Sequence, residues 1–264
     1  MNTVTEETNT AGEQVLYEVI DRTAWITINR PQARNALNAA VREGLRECFL
    51  AAEGDDEVAV IVLTGAGQKA FCAGGDLKEM ADASLTIPPP DYVPQPNRTL
   101  DISKPIIAAV NGLALAGGFL LAQSADLIVA AENAKFGVTE IKIGRGAPWA
   151  APLAWLIPPR IAMEMLVTGD PLAADRAYEV GLVNDVVPAE RLQERVAELA
   201  ATIAANAPLS VRAGKATVYA TAHHTRDEAF DAAEDIWRDV YLSEDAQEGL
   251  QAFVEKRKPM WQAR

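Results

Sequence analysis

Two glycine-rich stretches and one acid stand out in this chain as residues able to do chemistry. The stretches are Phe71-Cys72-Ala73-Gly74-Gly75-Asp76-Leu77 and Asn111-Gly112-Leu113-Ala114-Leu115-Ala116-Gly117-Gly118. Each follows an apolar, β-like run (58–63, then 105–110) and leads towards a helix-like run. A turn of that kind leaves backbone N–H groups without partners, aimed at a spot where a helix N-terminus adds partial positive charge. Two such turns could build an oxyanion hole. Glycine pairs at strand-to-helix turns also relieve steric crowding with no further role, and the spacing leaves both readings open. Neither stretch reads as a phosphate loop. The acid is Glu140, which ends an extended run, 135–140, among apolar neighbours. Its setting is unusual for a carboxylate, the alternative being an ordinary surface strand glutamate. Cys72 admits a nucleophile reading and a small-core-residue reading, of which pattern favours the second.

Composition narrows the field of functions. A chain of 264 residues with 49% hydrophobic content can form one large domain or two small ones around an ample core. The net charge of −13 repels phosphate backbones and argues against a nucleic-acid partner. Apolar runs such as 106–110 and 113–122 are too short to span a bilayer, so no membrane partner is expected. Residues 1–12 are polar and acidic, without the basic start or apolar stretch of a signal peptide; they read as a disordered tail and the protein as cytoplasmic. The two cysteines, Cys48 and Cys72, make no disulfide framework. The histidines are the adjacent His223 and His224, which would diverge on a helix, so both read as solvated and no metal site is expected.

The elements that must position these residues follow from periodicity. Residues 14–20 and 23–29 read as strands, closed by Pro31. Asn35 is placed to cap an amphipathic helix over 36–52, with Leu37, Val41, Leu45, Cys48 and Phe49 on one face. A buried strand over 58–63 leads to the first glycine stretch, and a helix starts at Leu77. The proline-rich segment 83–98 is a long loop, either covering a site or a surface excursion. Strands over 104–110 and 126–130 flank the second glycine stretch and a buried helix over 117–123. From residue 151 the pattern is helical (151–156, 161–166, 173–180, 189–206, 209–221, 225–242 and 244–255), interrupted by a short strand within 181–187. No sequence repeat is visible.

Taken together these landmarks resemble the crotonase, or enoyl-CoA hydratase/isomerase, superfamily. The matching residues are Asn29-Arg30-Pro31, Arg34-Asn35-Ala36-Leu37-Asn38, the runs 70–80 and 111–118, Ala131-Glu132-Asn133-Ala134-Lys135-Phe136-Gly137, Thr168-Gly169-Asp170 with Ala173, Gly181-Leu182-Val183-Asn184, and Glu248-Gly249 with the run 252–257. They occur in family order across nearly the whole chain. The resemblance implies an α/β fold: a spiral of repeated β-β-α units over 13–206, and a helical C-terminal region, 207–264, that assembles homotrimers or homohexamers. It implies an acyl-CoA thioester as substrate, with no separate cofactor, coenzyme A being part of the substrate. It further implies that the backbone N–H groups of Gly75 and Gly117 hold the thioester oxygen, and that residues Ala73, Gly75, Asp76, Leu77 and Lys78 line the coenzyme, Lys78 as a phosphate partner. Hydratases of the family place two glutamates over the substrate; the corresponding positions here are Leu120 and Glu140. One acid, Glu140, is therefore left as general base and acid, with a carboxyl expected to titrate high because its neighbours desolvate it. The departure at Leu120 keeps isomerase, hydrolase and weakly catalytic CoA-binding alternatives beside hydration. Past Glu140 the chain departs from the family again. There Trp149 either narrows the acyl pocket or packs in the core, and Arg145 either neutralises a substrate carboxylate or pairs with Glu140.

Overall fold

The computed structural model describes residues 14–222 and 224–264. The expected tail over residues 1–12 and the reading of His223 lie outside the described residues.

Two strands, β1 (Val15–Ile20) and β2 (Thr23–Ile28), pair antiparallel and lead into α1 (Ala39–Gly54). From there the chain winds in turns that each give one strand to a large sheet and one to a small sheet. The first turn is β3 (Val60–Gly65), β4 (Ala70–Cys72) and α2 (Leu77–Asp82). The second is β5 (Ile106–Val110), β6 (Leu113–Leu115) and α3 (Gly117–Gln123). The third is β7 (Leu127–Ala131), β8 (Lys135–Gly137) and a 3-10 turn, Thr139–Ile143. Short α4 (Leu153–Leu156) and α5 (Pro159–Thr168) follow, then β9 (Leu172–Ala173), α6 (Ala174–Glu179) and β10 (Asp185–Val187). The large sheet has the order β1-β2-β3-β5-β7-β10 and the small one β4-β6-β8-β9. The spiral is thus a repeat of structure whose unequal spacings, and three-residue strands, hide it from the sequence.

The central strands β3, β5 and β7 of the large sheet are buried on both faces, which is why they read as unbroken apolar runs. Val60, Val62, Ile107, Ala109 and Val129 meet Leu192, Val196 and Ala200 of α7 (Leu192–Ala204), while the alternating Ile61, Leu63, Ala108, Val110 and Ala130 join the main core with α1 and α3. Helices α8 (Pro208–Thr221), α9 (Arg226–Leu242) and α10 (Glu244–Glu255) complete the chain.

Several local expectations are corrected. Asn38, not Asn35, caps α1, accepting from Val41 N at 3.0 Å. Asn35 is fully buried in the left-handed region (φ 57), where it accepts from Arg30 N and donates to Ala66 O and Ala70 O. Those three bonds use it up as a brace between the chain before α1 and the β3–β4 connection. The extended run expected over 135–140 stops at Gly137, and Glu140 sits instead in the 3-10 turn. The helix expected over 173–180 begins one residue later because Leu172 and Ala173 pair with β8, and that over 189–206 is divided into a 3-10 turn, Ala189–Arg191, and α7. The proline-rich segment forms no helix or strand beyond a Pro96–Leu100 bridge, and it buries Val93 and Gln95.

Candidate active site

β4, β6 and β8 run parallel and adjacent in the small sheet, and the chain leaving each of them carries one candidate: Gly75 after β4, Gly117 after β6, Glu140 after β8. Ligand sites at the carboxyl ends of parallel strands are a general consequence of this geometry, since side chains and free N–H groups converge where the ladder stops.

The Gly75 turn is held by the segment before α1. Leu37 N donates to Gly74 O at 2.8 Å, and Asp76 N to Leu37 O at 3.2 Å. This parallel bridge uses the groups on either side of Gly75 and leaves its own N–H outside the pairing. Gly74 has φ 101, and a Cβ there would come within 2.7 Å of Ala116 Cβ, so only glycine fits. Asp76 caps α2, accepting from Lys78 N and Glu79 N, and takes the Arg30 guanidinium at 3.2 Å, which holds its carboxyl below the usual range against a desolvation that pushes it up. Asp76 and Arg30 therefore fix the turn from beneath, while Ala73 is half-buried and Leu77 and Lys78 are exposed at the start of α2.

Gly117 opens α3, so its N–H is one of the first-turn donors without an intrahelical partner. Ala116, before it, has φ 51 and ψ −125, a conformation unfavourable for any residue with a Cβ. Its N–H is pinned to Gly137 O at 2.8 Å. The two turns are in contact: a Cβ built on Gly117 would lie 3.8 Å from Gly75 N and 3.0 Å from Leu37 Cδ1. Gly118 lets α3 close onto β4, since a Cβ there would be 2.0 Å from Cys72 O. Cys72 itself is fully buried, and burial pushes its thiol up to about 12, so it belongs to the core and not to a nucleophile.

Glu140 lies in the third turn, after β8. Trp149 Nε1 donates to Glu140 Oε1 at 2.9 Å, whereas Oε2 is buried with no partner among the described residues. Desolvation raises the carboxyl above the ordinary glutamate range, opposed by its own backbone N–H and by Trp149. Trp149 is in turn fixed by α3: its ring stands edge-on to Phe119, centroids 5.9 Å apart, and Gln123 Nε2 donates to its carbonyl at 2.6 Å. Trp149 thus packs in the core and orients the acid through its indole N–H, a role the sequence reading missed; a tryptophan nine residues past an acid carries no spacing signal. Arg145 forms no ion pair with Glu140; its main-chain N–H donates to Glu140 O and its Nη1 to Leu85 O. Leu120 is buried on α3.

Residues 20–264 match the enoyl-CoA hydratase/isomerase family model. The chain belongs to the enoyl-CoA hydratase/isomerase family. Among its relatives, the (E)-benzylidenesuccinyl-CoA hydratase of Thauera aromatica is 37% identical over 258 residues, covering 93% of this chain and 97% of that one. The carnitinyl-CoA dehydratase of Salmonella typhi is 40% identical over 249 residues, covering 90% and 94%. The crystal structure of an enoyl-CoA hydratase from Mycobacterium tuberculosis H37Rv superposes with a TM-score of 0.87 at 41% identity, covering 95% of this chain and 99% of that one. The family resemblance and the α/β fold read from the sequence are borne out.

Proposed function

We propose that this family enzyme uses Glu140 as the proton carrier on an acyl-CoA thioester whose carbonyl oxygen rests on the N–H groups of Gly75 and Gly117. The family match and the relatives named as hydratase and dehydratase of CoA thioesters support an enzyme of the acyl-CoA hydratase/isomerase type. The observation that carries the role of Glu140 is its divided carboxylate, with one oxygen held by Trp149 and the other buried and open. In hydration, Oε2 takes a proton from water as the oxygen adds to the β carbon. The electron pair moves into the thioester oxygen, and the same carboxyl returns a proton to the α carbon. Electrostatic stabilisation of that oxygen supplies most of the barrier lowering, each preorganised donor contributing about 3 kcal/mol. Leu120, buried where a second acid would stand, favours a single-group proton shuttle and keeps isomerisation beside hydration. Coenzyme A enters only as part of the substrate, with Ala73, Leu77 and Lys78 along its path. No described helix is long and apolar enough to cross a membrane. We place the protein in the cytoplasm as a homotrimer or homohexamer, the latter supported by exposed apolar residues on its C-terminal helices.

Glu140→Gln tests the assignment, because glutamine accepts from Trp149 yet cannot carry the proton. Turnover of an enoyl-CoA in deuterated water should fall by roughly 10²- to 10⁴-fold with CoA binding kept. Equal rates of hydration and of α-proton exchange in both forms would remove Glu140 from the mechanism.

A further inference from the structure

Arg145 has no ion-pair partner among the described residues, and it lines an open cavity. Its Nη1 is tied to Leu85 O at 2.8 Å, while Nη2 is buried and has no partner among the described residues. The acids that act on Tyr92 together with Arg145 are already matched: Asp76 by Arg30 at 3.2 Å and Glu79 by Arg42 at 2.8 Å. A buried donor of a charged group left unsatisfied is costly, so a ligand that supplies an acceptor there gains more than an ordinary hydrogen bond.

The cavity gives that ligand its chemistry. About 290 Å³ in volume, it has a wall of Leu77, Met80, Leu85 and Ile143, with Ser84 and Arg145 as its polar groups. It opens beside the first oxyanion donor: a Cβ on Gly75 would lie 2.9 Å from Met80 Sδ. At its other side, the main chain of Arg145 is bonded to that of Glu140 at 3.0 Å. An acyl chain whose thioester oxygen rests on Gly75 N–H therefore has beside it an open apolar depression that carries a guanidinium.

Resting on the acyl-CoA reading above, we propose that Arg145 receives a second, distal carboxylate of the acyl group, so that the preferred substrate is the CoA thioester of a dicarboxylic acid. The planar guanidinium accommodates a carboxylate through its open edge, and the −13 net charge of the chain makes such local positive charge necessary for an anionic acyl group.

The test compares two trans-2-enoyl-CoA thioesters of equal chain length, one ending in a methyl group and one in a carboxylate. Wild type should favour the carboxylate-ended substrate in kcat/KM by roughly 10- to 100-fold. Arg145→Gln keeps a donor for Leu85 O but removes the charge, so the ratio should fall to about one or below, mainly through KM. Arg145→Lys, which restores charge without the planar fork, should recover part of the preference. A wild-type preference for the methyl-ended substrate, or an unchanged ratio in Arg145→Gln, would overturn the assignment and leave Arg145 as a tether of Leu85. If wild type neither bound nor turned over either thioester, the acyl-CoA reading itself would fall, and this assignment with it.

Discussion

At the scale of single residues, the site depends on how Trp149 divides the two oxygens of Glu140. Its N–H stabilises the charged carboxylate, while the desolvation that raises the carboxyl is the larger effect. Removing the donor takes away an influence that lowers the pKa, so the group should titrate still higher. Activity that needs the ionised base rises with pH through that pKa. In Trp149→Phe the acidic limb of the kcat/KM profile should therefore move to higher pH. The aromatic edge contact with Phe119 is largely kept, which limits the loss of packing. A pH-rate profile checks this: a limb in the wild-type position, with only a lower plateau, would mean that Trp149 does no more than fill space.

At the scale of elements, three strands of three residues and the turns after them set the geometry. Gly117 is the first residue of α3, so proline there removes an N–H that has no intrahelical partner, while its ring presses on Leu37 Cδ1, which lies 3.0 Å from a Cβ at this position. Gly117→Pro should remove one oxyanion donor and lower kcat about a hundredfold, with far-ultraviolet circular dichroism unchanged. Retained turnover would place the donor elsewhere. The same elements explain how much was legible. The central strands of the large sheet were readable as unbroken apolar runs of five or six residues, and the amphipathic α1 because burial of one face writes a helical period into 16 residues. β4, β6 and β8 were not, since three residues cannot display a period of two. Asn35 looked like a cap because its type fits one; its left-handed backbone and three buried partners come from contacts with residues 66 and 70, which local pattern cannot register. Glu140 was legible as an acid in an apolar setting, whereas the Trp149 bond to it depends on α3 holding Trp149 in place.

At the scale of the whole molecule, the C-terminal helices present two different surfaces. α8 is locked to the core of its own chain: Lys215 Nζ lies 2.9 Å from Asp126 Oδ2 and donates to Lys104 O, and Tyr219 donates to Asp126 Oδ1 at 2.8 Å. α9 is joined to it through Trp237 Nε1 on Thr217 Oγ1. α10 is different. Its Ala252 is buried, yet Leu250, Phe253 and Val254, which share a face at helical spacing, are exposed, Phe253 by 85%. Leu242, at the end of α9, is 79% exposed. An exposed apolar face of this kind suits the association proposed above. Phe253→Glu sets a charge in the middle of the stripe without touching α8 or the oxyanion turns, and a buried charge without a partner opposes association strongly. Light scattering at micromolar concentration should give a trimer or hexamer for wild type and a smaller species for Phe253→Glu. A wild-type mass of one chain would exclude the assembly, and an unchanged oligomer in the variant would move the interface away from α10.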